Sequence, residues 1–464
     1  MRMRLRDYTA SVVVTLLSAA FGVLLLQGTA VLTTLIAGDD IGQKESVQVA
    51  LSLVAVVFFA IAVYVGGVVT ANTVGTVIAG RTRVIALYRL VGASATSLRR
   101  RVTVDGLVVG IVGSLLGLGV ASLIGSVAVN LGIATGTIPS ASYEIFSVQL
   151  VAPVVAVVLV TWLASWVGSK RILQVTPIQA GAAAVEPSQE ETASHIVRNA
   201  TAFTLIGIGA VLLAGGVLLG LVSMLGVLVG LLGGILSFSG IVLGAPLFMP
   251  PILRLVGRML GRGPAARIAA ANATRNPARS TRATIGLVIG VTLVTMFAVA
   301  AQSYVDTITR AREAYPADYG DSDQILALTI TVFAVLFGFS ALIAAVGMVN
   351  NLSLSVLQRR RELGLLRALG FTGRQVRAMI TAESAQLTAA SVLVGLVLGT
   401  FYGWAGVQSM FGSITGSPGL ALPSLPLPFL AGVVVLAAAL TVAAAVGPSR
   451  RATRVPPVVA LAVE

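Results

Sequence analysis

The sequence predicts an all-α integral membrane protein of ten transmembrane helices, built as two four-helix halves of the same orientation joined by a two-helix hairpin. Three observations predict it: the composition, the length and flanking charge of the apolar runs, and a long-range internal repeat. Of 464 residues, 56% are hydrophobic and only 10% charged, with a mean hydropathy of +0.97. Soluble domains carry roughly 25% charged residues. Apolar runs of twenty residues and more exclude a soluble enzyme, a disordered chain and a disulfide-stapled domain. The strict alternation of an outer-membrane barrel is absent, so the spans are helices. With no cysteine, thiolate metal sites and thiol redox chemistry are excluded.

The spans read, in order, as 9–36, 47–79, 104–129, 148–168, 200–223, 227–249, 283–303, 325–357, 382–407 and 428–447. The apolar run of the first continues to Ala37, longer than the roughly 7–15 residues of a signal-peptide core, so it reads as a retained span. Residues 200–249 form two spans, because one helix of that length would measure about 75 Å against a hydrocarbon core of about 30 Å; Val222–Gly226 is the expected reversal. With a cytoplasmic N-terminus, 28 of the 31 Lys and Arg face the inside and only Lys44, Arg310 and Arg312 the outside. Nine of the 17 acidic residues fall outside, leaving the outer loops at −6 and the inner side at +20. This is the positive-inside pattern, and it places both termini in the cytoplasm of a cell whose inner membrane holds the chain. The net charge of +14 is thereby assigned to topology and to anionic lipid headgroups, not to nucleic acid.

A shift of 278 residues lays Asn72, Arg81, Arg83 and the run Leu87-Tyr88-Arg89-Leu90-Val91-Gly92 onto Asn350, Arg359, Arg361 and Leu365-Leu366-Arg367-Ala368-Leu369-Gly370. The same shift carries Arg99 onto Arg377, Thr103 onto Thr381, Asp105 onto Glu383 and Gly117 onto Gly395. Ser169-Lys170-Arg171 and Val175-Thr176-Pro177 recur as Ser449-Arg450-Arg451 and Val455-Pro456-Pro457 at a shift of 280. Residues 1–182 and 265–464 are therefore read as equivalent halves. Residues 183–264 hold a linker, the central hairpin and an interfacial helix. Parallel repeats imply a pseudo-two-fold axis along the membrane normal.

The second copy, Arg359-Arg360-Arg361-Glu362-Leu363-Gly364-Leu365-Leu366-Arg367-Ala368-Leu369-Gly370-Phe371-Thr372-Gly373-Arg374-Gln375-Val376 followed by Glu383 and a small-residue span, resembles the FtsX/MacB-type permease domain of ABC transporters. The first copy departs from that pattern, with Val84 at the family's Glu and Gly80 opposite Gln358. The 4 + 2 + 4 plan is similar to the bacitracin-resistance branch. That branch has a large extracytoplasmic domain between spans 7 and 8, where this chain has about 21 residues.

Spans 2 and 8, at about 33 residues each, measure roughly 50 Å and are expected to project below the bilayer as stalks. They end in the basic clusters Arg81/Arg83 and Arg359–Arg361. After each stalk a short amphipathic helix is expected: Leu87–Gly92 in the first copy, and Leu363–Leu369 in the second. In the second, Leu363, Leu366, Ala368 and Leu369 are read as the apolar side and Gly370 and Gly373 as the stop. The resemblance makes these coupling helices, with Leu87, Tyr88, Arg89, Leu90, Val91, Gly92, Glu362, Leu363, Leu365, Leu366, Arg367, Leu369, Gly370 and Phe371 docking on an ATPase subunit. Without it, the same helices read as lying on anionic lipid. No G-x-x-x-x-G-K-[ST] pattern occurs, and neither Lys44 nor Lys170 follows a glycine. ATP and Mg²⁺ are thus expected on a separate ATPase, in two copies, and the chain itself needs no cofactor and is not an enzyme.

Asp105 and Glu383 read as helix-start carboxylates facing Arg99 or Arg377, with a relay of coupling-helix movement as the sharper alternative. Gly106, Gly110, Gly113 and Gly117, matched by Ser384, Thr388, Ser391 and Gly395, make one small-residue face for close helix packing. Arg254, Arg258 and Arg262 opposite Ile252, Leu253, Val256 and Leu260 read as an interfacial helix. Trp162, Trp166 and Trp404 read as interfacial belt residues, and His195 stands alone in a polar linker, without metal partners. The function expected is a permease subunit that exports or extracts a lipophilic substrate, whether lipid, lipoprotein, peptide or antibiotic. The alternative is mechanotransmission to an outer-surface partner, which short outer loops disfavour. An ion-coupled carrier would need ionisable residues at mid-membrane, and the spans show none.

Overall fold

The computed structural model describes residues 9–36, 45–135, 143, 147–175, 196–259, 270–271, 277–316, 330, 338, 341–342, 345, 365–417 and 419–454. Among these there are helices and turns and no strands. The helices are α1 (Thr9–Ile36), α2 (Glu45–Gly80), α3 (Thr82–Leu90), α4 (Ala95–Ala134), α5 (Val151–Gly168), α6 (Ile196–Gly220), α7 (Gly226–Met259), α8 (Pro277–Ala314), α9 (Gly373–Phe411) and α10 (Leu427–Arg454). Single 3-10 stretches, Val148–Leu150 and Ser169–Gln174, flank α5. Eight of the helices are long and apolar enough to cross a membrane, and α10 adds a shorter apolar stretch, Leu427–Val442. Most of the expected eighth span lies outside the described residues, as do Arg262, His195, Arg359, Arg360, Arg361, Glu362 and Leu363.

Helix directions follow from which residues meet. In α1 and α4 the contacts climb together: Gly113 lies against Thr15, Gly117 against Leu16–Ala20 and Gly125 against Gln27. The same parallel climb joins α8 and α9, where Gly395 meets Val291, Gly399 meets Thr295 and Gly403 meets Met296 and Ala300. α5 runs against α4, and α10 against α9, as Gly106 beside Ser165 and the 2.6 Å Thr388–Thr441 hydroxyl pair show. α6 and α7 form the hairpin, turning over 221–225, with backbones so close that a Cβ on Gly216 would stand 2.5 Å from the Gly230 nitrogen. Lipid offers no hydrophobic drive between helices, so such dispersion contact and hydrogen bonds hold them.

The principal core unites both ends of the sequence: Val14, Phe21, Val65 and Val69 from α1 and α2 pack with Phe238 and Leu253 from α7 and with Ile289, Phe297 and Leu387 from α8 and α9. Tyr64 of α2 reaches α7, its hydroxyl 2.7 Å from that of Ser239. One end of the bundle collects the finish of α2, α5 and α7, the start of α4 and α9, and with them Arg81, Arg89, Arg99, Arg100, Arg101, Arg254, Arg258, Arg367, Arg374 and Arg377. This is the basic end.

Three expectations change. The apolar window of spans 3 and 9 suggests starts at 104 and 382, but α4 and α9 begin at Ala95 and Gly373. Side-chain caps two to three turns before the apolar run set the start. Gly373 therefore opens a helix where a stop was expected. Second, Arg254 and Arg258 are not on a separate interfacial helix: α7 continues through Pro246, Pro250 and Pro251 to Met259, and Leu253 and Val256 belong to the principal core. Proline breaks soluble helices, whereas neighbouring helices in a bundle can re-satisfy the freed carbonyls. Third, α8 runs to Ala314, so Asp306, Arg310, Arg312 and Glu313 are helical; Gln302 Nε2 donates to Asp306 Oδ1 at 2.9 Å.

Candidate functional site

The repeated segments at the basic end fold alike, bond for bond. In the first copy α3 closes with Val91 N–H donating to Leu87 O, Gly92 N–H to Arg89 O and Ala93 N–H to Tyr88 O. In the second, Leu369 N–H donates to Leu365 O, Gly370 N–H to Arg367 O and Phe371 N–H to Leu366 O. Each is a Schellman close, whose residue after the helix must take the left-handed region; Gly92 and Gly370 both have φ of 97°. Two residues on, Ser94 and Thr372 cap α4 and α9, their hydroxyls accepting from Ser97 N–H and Gln375 N–H. Gln375 completes a capping box by accepting from Thr372 N–H at 2.9 Å. The result is a short helical segment locked at a fixed angle to a helix of about 40 residues.

Each segment has an inward and an outward side. In the first copy Ile85 and Ala86 are fully buried with Val74 and Ile78 of α2, Leu98 and Val102 of α4, and Ile172 and Val175 beyond α5. The end of α2 is therefore wrapped, not a bare stalk. Leu87, Leu90 and Val91 face outward, Val91 being 89% exposed. In the second copy Leu366 and Phe371 pack on Val376, Met379 and Ile380 of α9. Leu365 and Leu369 face outward at 53% and 70% exposure. The apolar side read from sequence is thus split: Leu366 belongs to the molecule's own packing, and the outward pair is Leu365 with Leu369, matched by Leu87 with Val91.

Basic groups frame the first segment. Arg89 donates through Nη1 to Val175 O. The Arg99 guanidinium lies 4.5 Å from the centre of the Trp166 ring and donates to Trp166 O at 3.2 Å, with Lys170 Nζ 5.2 Å from the same ring. Trp166 is thereby a cation platform. In the second copy Arg377 Nε donates to Gly373 O at 3.2 Å. Arg81 caps α3 without a side-chain bond to the cap, and Arg83 lies on the same helix.

Asp105 and Glu383 are each the eleventh residue of their helices, beyond the reach of the helix-terminal charge, so the helix-start reading is corrected. Glu383 is 6% exposed. The small-residue face is shared between two neighbours in both copies. Gly106 and Gly110 meet Ser165, Val158 and Thr161 of α5, while Gly113 and Gly117 meet α1. Likewise Thr388 meets α10, and Ser391 donates to Thr284 O of α8 at 3.3 Å, next to Gly395 on Val291; Ser384 is buried. Sequence reasoning missed the caps Ser94 and Thr372 and the anchors Ile85 and Ala86. The signal was present: a Gly followed two residues later by Ser or Thr in both copies. Among the described residues, no cluster of His, Asp or Glu could hold a metal ion.

A family model described as "FtsX-like permease C-terminal" matches this chain twice, over residues 56–177 and 334–457. The second match begins 278 residues after the first, the same offset that relates Gly92 to Gly370 and Ser94 to Thr372. The uncharacterized ABC transporter permease YknZ of Bacillus subtilis (strain 168) is 30% identical over 141 residues, covering 30% of this chain and 33% of that protein. The uncharacterized ABC transporter permease MJ1507 of Methanocaldococcus jannaschii is 41% identical over 71 residues, 15% of this chain and 18% of its own length. The matched part spans a third or less of either relative. Because the two matched regions cover more than half of the residues and contain both locked turns, the chain belongs to the FtsX-like permease family.

Proposed function

We propose that this chain is the membrane subunit of an ABC transporter in which the outward faces Leu87/Leu90/Val91 and Leu365/Ala368/Leu369 each receive one ATPase subunit. The observation that carries the reading is the pair of identically locked turns presenting apolar side chains at matched positions on one end of the bundle. A segment held by a Schellman close and an N-cap cannot swing freely on its helix, so a push on it moves α4 or α9 as a lever. ATP and Mg²⁺ act on the partner.

The architecture in this reading has ten spans, with halves 1–182 and 265–464 flanking 183–264, and the basic end and both termini in the cytoplasm. α8 finishes at the end opposite the start of α9, and between them the sequence offers one apolar run, 325–357, long enough to cross a bilayer. Ala341 and Ala345 already lie beside Leu287 and Val294 of α8 and Val433 of α10. The work done is export or extraction of a lipophilic molecule. Co-purification of the tagged chain from detergent extract is expected to recover a nucleotide-binding subunit. The double change Leu365→Asp with Leu369→Asp should lower that subunit's stimulated ATPase about tenfold or more, as loss of two apolar contacts implies. Unaltered stimulation in this variant and in Leu87→Asp with Val91→Asp together would overturn the proposal.

A further inference from the structure

At the basic end, where α4 begins and α5 finishes, two positive charges share one aromatic ring. The Arg99 guanidinium lies 4.5 Å and Lys170 Nζ 5.2 Å from the centre of the Trp166 ring. Arg99 Nη2 donates to Trp166 O at 3.2 Å, which ties the start of α4 to the end of α5. Neither cation has a carboxylate partner among the described residues. α5 and the 3-10 stretch after it, Ser169–Gln174, contain no acidic residue. Like charges gathered on one ring repel, and the ring's own attraction for cations offsets only part of that. Lys170 is exposed, as are Arg100 and Arg101 beside Arg99. The pair is open to an anion from outside the chain.

The nature of that anion follows from α5 beyond the pair. Trp166, Trp162, Leu159 and Val155 are spaced by four, three and four residues, so they lie on one side of the helix. All four are exposed. The stripe they form is about 16 Å long, close to half of a hydrocarbon core of about 30 Å. It is apolar throughout and has the cations at its foot. A soluble anion has no use for such a stripe, whereas a phospholipid tail does. The second half lacks the arrangement. At a shift of 280 residues Trp162 and Trp166 fall on Val442 and Val446. Arg377, the match of Arg99, donates to Gly373 O of its own helix. Basic residues recur in both halves and the rings do not, so the sorting of charge across the membrane does not account for the tryptophans.

We infer that the first half holds one anionic phospholipid from the leaflet at the basic end. Its phosphate joins Arg99 and Lys170, and one acyl chain lies along Trp166, Trp162, Leu159 and Val155. The guanidinium and the ammonium both donate to phosphate oxygens. A zwitterionic lipid is disfavoured, because its own ammonium would meet the same two cations. The inference is independent of the ATPase contact, because binding is read on this chain alone.

The test uses the full chain in phosphatidylcholine nanodiscs doped with a phosphatidylglycerol that carries a diazirine in one acyl chain. Photolabelling is expected to concentrate on residues 155–166. It should fall when unlabelled phosphatidylglycerol is added, and not with inorganic phosphate. Lys170→Gln, at an exposed position, should lower that labelling about fivefold, and Arg99→Gln with Lys170→Gln about twentyfold or more, as the attraction of each basic residue to anionic lipid implies. Trp166→Leu keeps the stripe apolar but removes the ring, and should lower labelling about threefold. Lys170→Arg keeps the charge and should retain the labelling, which separates loss of the site from loss of the fold. Residues 435–446, the matched stretch of α10, should take label equally from phosphatidylglycerol and phosphatidylcholine probes. The same equality over 155–166, or labelling unchanged by Lys170→Gln and by the double change, overturns the inference. Suppression by inorganic phosphate would assign the pair to a soluble anion and overturn it too.

Discussion

Gly92 and Gly370 carry a strain that no other residue type bears cheaply. Both sit at φ 97° with open space around the absent Cβ, so a substitution there is penalised by the backbone alone. Gly92→Ala and Gly370→Ala should each lower stability by about 1–2 kcal/mol, read as a drop in thermal midpoint in detergent. Gly117 fails for another reason: a Cβ there would stand 2.5 Å from Leu16 O, a backbone atom that cannot give way without moving α1. Gly117→Val should therefore part α1 from α4 and cost more than Gly92→Ala in the same melt. Equal shifts in the two would show that the α1–α4 seam is looser than its geometry. All three glycines are visible in the sequence, but their reasons differ, one dihedral and one steric, and only the packed helices separate them.

At the scale of the element, the short segments before α4 and α9 divide by side. Leu366→Asp places a carboxylate against Val376, Met379 and Ile380 and should cost ~2 kcal/mol or more of folding stability. Leu365→Asp with Leu369→Asp changes two exposed positions and should leave the thermal midpoint within about 1 °C while acting on the partner. If both variants lose stability equally, the outward side is part of the fold. The sequence presents Leu363, Leu366 and Leu369 at helical spacing as one apolar stripe, and no periodicity argument tells which leucine the molecule keeps for itself. That is decided by the angle the Schellman close imposes. Helix starts show the same limit, since the apolar onset marks entry into lipid while Ser94 and Thr372 mark entry into the helix, and these differ by about nine residues.

For the whole molecule, the absence of cysteine makes topology directly measurable. Ser94→Cys and Thr372→Cys at the basic end should resist a membrane-impermeant maleimide applied outside intact cells. Val148→Cys, Val222→Cys and Tyr315→Cys, exposed at the opposite end, should react. Labelling of Tyr315 and Thr372 from the same side would remove the need for a crossing between α8 and α9. The bundle also joins its parts more closely than the repeat suggests. α2 of the first half packs on α7 through Tyr64 and on α8 through the Phe58–Phe297 pair, with ring centres 5.3 Å apart. The hairpin is thus a wedge between halves and not an appendage.

Composition, span length and charge asymmetry determined from the sequence alone that this chain is a helical membrane protein, because the bilayer satisfies no backbone polar group and sorts basic residues to one side. The 278-residue offset likewise located both locked turns before any coordinate. The tertiary structure decided which leucines are outward, that α7 continues through three prolines, that Glu383 lies three turns inside a helix, and that a small apolar cavity lies between five helices. These depend on how residues far apart in the chain meet, and a one-dimensional pattern records which side chains are greasy but not which neighbour each one finds.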